Sequence, residues 1–145
     1  MLAISIRQPW LWLILEGHRP IHIDDWRPEP AYQGDILLHA SKSQTKKEFQ
    51  AAQEFINFYG LDIQLPESCP VGGIVGRANL VKVCRDYESV WADPMLWSWV
   101  LSNVQKLPLV ECKGQKGLFI AHHPMAGTKL HAIYPPFGEA WSLDP

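Results

Sequence analysis

Long apolar runs are missing from this 145-residue chain, and the longest near its start, Pro9 to Leu15, is too short to cross a bilayer. No early basic region with a small-residue cleavage site marks a secretory signal. Cysteine is scarce: Cys69, Cys84 and Cys112 are odd in number, and none pair at C-x-x-C spacing. That argues against a disulfide framework and against the commonest zinc motifs. An excess of one charge is also lacking, since 13 Lys and Arg face 15 Asp and Glu, giving −2. A chain of pI near 6.3 does not hold duplex nucleic acid by bulk charge. Phosphate-binding glycine loops and the G-x-S-x-G elbow are absent. We therefore expect a protein of the reducing cytoplasm, with no membrane contact, cofactor or metal. The pair His122-His123, even with Cys112 or His131, has no dependable ligand spacing.

What is present is a substantial apolar share, 47%, with seven tryptophans. The length fits one domain. Leu2 to Ile6 reads as a strand, and Pro9 opens a helix that Gly17 ends. Pro20 to Trp26 alternates as a strand, and Gly34 to Ala40 is another. Thr45 with Glu48 fits a capping box at the head of a helix running to Tyr59. Gly73 to Cys84 is a long strand in which Gly76 marks a bulge or a close backbone approach. Strands are expected at 96–101, 107–112 and 118–121, with a short helix or loop at 87–95. Residues 1–121 make one unit, and 122–145 a proline-rich irregular tail draped on it by Leu130, Ile133, Phe137 and Trp141. The fold class is α+β: a small barrel of five to seven mixed strands with two or more flanking helices.

Five blocks in order carry a family resemblance. Ile4-Ser5-Ile6-Arg7-Gln8-Pro9-Trp10 comes first, followed by Ile14-Leu15-x-Gly17 and a strand ending in Trp26. Then come Gly34 through Lys42, Gly73-Ile74-Val75-Gly76, Trp99-Val100-Leu101, and Lys113-Gly114-x-x-Gly117-Leu118. Over residues 2–121 the chain resembles ASCH domains, which share the PUA fold of RNA-binding modules. The resemblance implies a curved barrel, with a nucleic-acid cleft lined by the strand after the first helix. Some members of the family hydrolyse amides on modified nucleosides, and some cleave RNA. The chain departs from the family at the cleft. Arg19 stands for the common lysine, His22 for glutamate or threonine, and Asp24 for arginine. Arginine stays protonated, so a lysine-based amidohydrolase mechanism does not carry over.

The residues themselves allow several readings. His22 and Asp24 share a strand face, where the carboxylate raises the imidazole pKa and fixes its tautomer; the pair suits a binding role before acid–base catalysis, with a solvent-facing strand as the bland alternative. Arg7 and Gln8 flank the first helix start, either lining a cleft or, for Gln8, capping the helix. Arg7, Arg19 and Lys42 are placed to hold phosphate. Gln8 and Asp24 are placed to read base edges, and Trp26 to stack. His39 and Ser41 follow the second-block strand, though Ser41 could simply lead into the next helix. Lys113 and Lys116 form a basic hairpin. Trp97 and Trp99 share a face, either buried or stacking bases. Three functions follow. The first is binding of single-stranded RNA or a nucleotide. The second is hydrolysis of RNA or a modified nucleoside by His22 and Asp24. The third is an interaction module that meets a protein partner and no nucleic acid.

Overall fold

A computed structural model describes residues 1–126 in full and the backbone of 129–130 and 143–144. Six strands form one mixed sheet: β1 (Leu2–Ile6), β2 (Ile21–Asp24), β3 (Gly34–Ala40), β4 (Gly73–Cys84), β5 (Trp97–Glu111) and β6 (Phe119–Ile120). Their order is β2-β5-β4-β3-β1-β6. Among the sheet's described strand pairs only β1 with β3 is parallel. Two helices accompany them, α1 (Trp10–Leu15) and α2 (Lys46–Phe58). The fold is thus α+β as expected, but the sheet does not close into a barrel: β2 and β6 end it. Two short strands, β7 (Lys129–Leu130) and β8 (Leu143–Asp144), pair antiparallel in the segment expected to be irregular. Ile133, Phe137 and Trp141 lie outside the described residues, as do His131 and the side chain of Leu130.

Local chemistry explains the helices. Pro9 precedes α1, and the Gln8 side-chain oxygen accepts the free N–H of Trp12 at 2.8 Å. Gly17, at φ +84°, turns the chain out of the helix. Thr45 caps α2 by accepting the N–H of Glu48 at 3.1 Å. The return half of the capping box is not made. Glu48 instead accepts from Trp10 Nε1 at 3.2 Å and pairs with Arg7 at 3.1 Å, tying α2 to the start of α1.

The strand readings at 96–101 and 107–112 are the two ends of one strand, β5. Polar residues between them, among them Ser102, Asn103, Gln105 and Lys106, break the apolar alternation without ending the strand. Asn103 takes a left-handed φ of 51°, which asparagine tolerates, and the register against β4 shifts nearby. At Gly76 a Cβ would lie 2.5 Å from Leu15 Cδ2 and 2.9 Å from the Gln105 carbonyl. Both expectations for that glycine, a bulge and a close approach, meet there. No helix forms at 87–95.

Ile4, Ile6, Leu11, Ile14, Leu38 and Leu80 belong to the main core between the sheet and α1. A second cluster, with Ala3, Leu37, Ile74, Leu107 and Phe119, lies on the other face and receives Ala126, so 122–126 pack back on the sheet. His123 is buried there, with Nε2 2.7 Å from the Pro108 carbonyl.

Candidate functional site

Parallel strands β1 and β3 send their carboxyl ends to the same end of the sheet, where Arg7, Ser41 and Lys42 follow. Ligand crevices in open sheets form at such ends. Two adjoining cavities open there. The larger, of about 1590 Å³, takes positive charge from Arg7, Lys42, Lys113 and Lys116 and negative charge from Asp24, Asp25 and Glu111. The smaller, of about 500 Å³, is walled by Trp10, Phe55 and Trp91 and carries Arg19, His22 and Asp24. Ser5, Arg7, Asp24 and Ser41 border both.

The sheet order makes this shared space informative. β2 stands four strand positions from β1, so a flat sheet would separate them by about 19 Å. Asp24 and Ser5 nonetheless line the same cavities. The sheet therefore curves enough to bring the carboxyl ends of β2 and β1 to the same cavities, which lie in the seam between them.

Arg19 is 5% exposed, with its guanidinium carbon 5.3 Å from the Trp10 ring centre and 6.0 Å from that of Trp91. Its Nε and Nη1 have no hydrogen-bond partner among the described residues. Burial lowers its pKa to about 10, so it stays charged at neutral pH. His22, also buried, has Nε2 3.1 Å from Asp24 Oδ2. The carboxylate does not raise this imidazole overall. Burial outweighs the Asp24 hydrogen bond and charge, and the positive Arg19 adds to it, so the His22 pKa is lowered. For Asp24, burial pushes upward. Hydrogen bonds from His22 and the Asp25 N–H prevail, and the pKa is lowered. At neutral pH the pair is a neutral imidazole donating Nε2–H to a carboxylate.

Gln8 does not reach either cavity. It is 1% exposed, and its amide is engaged at both ends, with the Trp12 N–H and the Pro70 carbonyl. It caps α1 and ties down the loop before β4. His39 lines the larger cavity with both ring nitrogens engaged: Nδ1 lies 2.9 Å from Ser5 Oγ and Nε2 2.7 Å from the Cys112 carbonyl. Ser41 Oγ is 3.0 Å from Ser5 Oγ. Lys42 and Lys113 are exposed on the larger cavity. Trp26 borders it half-buried, 4.9 Å from the Trp99 ring. Trp99 is buried, and Arg27 and Arg85 stand over Trp97 at 4.7 and 4.4 Å, so that ring is engaged by the protein itself.

Lining residues that escaped the sequence reading as site groups include Ser5, Trp10, Phe55 and Trp91. Ser5 had a signal, a hydroxyl between Ile4 and Ile6 on a strand whose other face is core. Phe55 sits on the apolar face of α2, indistinguishable by pattern from a core residue. Trp91 lies in a turn with no periodicity to place it. His122 is exposed and His123 is held by Pro108 and Met125, and no cluster of three or more His, Cys, Asp or Glu among the described residues is set to hold a metal. No described helix is long and apolar enough to cross a membrane. The chain matches no protein-family model and no curated protein.

Proposed function

We propose that the protein is an ASCH-type, PUA-like domain of the cytoplasm that binds a nucleotide or a short single-stranded RNA in the paired cavities. Arg19 carries this reading. A buried guanidinium with two N–H groups unpaired, on a cavity walled by aromatic rings, calls for a ligand that brings acceptors. A planar base meets both demands. Its ring lies against Trp10, Phe55 or Trp91 while carbonyl or ring-nitrogen atoms accept from Arg19. Asp24 keeps acceptor capacity for an exocyclic amine. Lys42, Lys113 and Lys116 sit on the larger cavity, at the right place for phosphates leaving the base.

The test is a tryptophan-fluorescence titration with short single-stranded RNAs and mononucleotides at low and moderate salt. Saturable quenching is expected, because Trp10 and Trp91 flank Arg19. Arg19→Met should weaken binding about tenfold or more, which is about 1.4 kcal/mol. Lys113→Ala should weaken all sequences alike and reduce the salt slope by about one. Silence across the panel at low salt would defeat the reading.

A hydrolase reading rests on the His22–Asp24 pair in the same cavity. Asp24 fixes the Nε2–H tautomer and leaves Nδ1 as the base for water. RNA or nucleoside cleavage lost in His22→Ala while binding survives would select it over simple binding.

A further inference from the structure

We infer that Ser5 is a nucleophile activated by His39, giving the protein an acyl-transfer site for a small ester or amide where its two cavities meet. This goes beyond the nucleotide-binding reading and does not depend on it.

With a neutral imidazole the hydrogen-bond directions follow from the partners. A carbonyl only accepts, so the His39 nitrogen 2.7 Å from the Cys112 carbonyl, Nε2, must carry hydrogen. In the neutral ring Nδ1 then holds the lone pair, 2.9 Å from Ser5 Oγ, and Ser5 donates to it. That leaves the Ser5 oxygen to accept from Ser41 Oγ at 3.0 Å. Nucleophile, base and an orienting acceptor stand in the relation that activates serine in unrelated hydrolases, with a backbone carbonyl in the orienting place. The ring cannot tip away. A Cβ on Gly114 would come within 2.6 Å of His39 Cε1, so the loop backbone lies directly against it.

A serine–histidine bond used only to brace strands would be sealed off. Ser5 is not: it is half-buried and borders both cavities. Arg7 and Arg19 both line the same smaller cavity and are the cations available to a developing oxyanion. The step balances with water alone. Ser5 Oγ bonds to the acyl carbon as its proton passes to His39 Nδ1. The bond to the leaving alcohol or amine breaks, and that proton goes to it. Water then cleaves the acyl–serine by the same route and restores Ser5.

A fluorophosphonate, which traps activated serines, tests this on the full chain. One adduct per chain, mapped by mass spectrometry to Ser5 and absent in Ser5→Ala, is expected. His39→Gln should slow labelling on the order of 100-fold with Ser5 in place. Because His39→Gln also removes the bond to the Cys112 carbonyl, Ser5→Cys on the intact His39 gives a second readout. Its thiol, followed by thiolate absorbance, should titrate well below the ordinary value of about 8.5. No adduct on Ser5, equal labelling of Ser5→Ala, or a Ser5→Cys thiol titrating in the ordinary range would each overturn the assignment. None of these outcomes bears on whether RNA or nucleotide binds, so failure here and failure of the binding reading are separable.

Discussion

Gly114 shows how a single missing side chain holds a site together. An added Cβ would meet His39 Cε1 at 2.6 Å, His39 Nδ1 at 3.0 Å and Ser5 Oγ at 3.1 Å. The imidazole has nowhere to retreat, being 1% exposed and edge-on to Phe119 at 5.7 Å. Gly114→Ala should therefore cost about 1–3 kcal/mol by overpacking, measured by urea denaturation. The same residues show what a sequence reveals of a site. His39, Ser41 and Lys42 stand at or just after the end of a strand, as expected, whereas Lys113 lies not in a hairpin but in a loop between β5 and β6, which pair with β4 and β1 and not with each other. That Ser5 and Gly114 close on the same imidazole was not visible, because residues 5, 39 and 114 meet only through the sheet. Arg19 was readable as a cation near the cleft, but its burial between two tryptophans depends on Trp91, far along the chain.

Among the elements, those defined by local chemistry were legible and those defined by distant partners were less so. Gly17 and Thr45 act where they stand, so the C-terminus of α1 and the N-terminus of α2 could be read directly. Glu48 could be placed in the first turn of α2 but not assigned its partners, since Trp10 and Arg7 lie on another element. Thr45→Ala should cost about 1 kcal/mol of stability by removing one cap. A chemical-denaturation series comparing it with Ser43→Ala checks this, since Ser43 is exposed and outside the cap. The single strand β5 was read as two because periodicity reports burial, and a bent strand with a polar middle interrupts burial without interrupting the ladder.

At the scale of the molecule, the α+β class followed from composition and pattern, but the strand order did not. β2 pairs only with β5, more than seventy residues later, and nothing local announces that choice. Burial of His22, and the hydrogen bonds that Asp24 accepts, also make the whole fold acid-sensitive. The His22 pKa is depressed from its ordinary 6.5, so the unfolded chain binds this proton at a higher pH than the folded one. Its contribution to stability is complete above about pH 6.5 and drains away as pH falls toward the lowered folded value. Asp24, lowered from 3.8, adds a further loss only at more acid pH. The thermal midpoint should fall between about pH 7 and about pH 5, and His22→Gln should flatten that part of the curve. A midpoint independent of pH across that range would contradict the burial of a neutral imidazole.

The seam between β2 and β1 has a mechanical consequence. Every other junction from β2 to β6 is stitched by backbone hydrogen bonds, which resist stretching across the strands. Among the described residues no such stitch crosses the seam, so it is the sheet's soft direction. Slight changes of twist in each strand add up there and open or narrow the gap without breaking a bond. A molecule lodged in the gap would act as a spacer, stiffening the one direction in which the curled sheet can breathe.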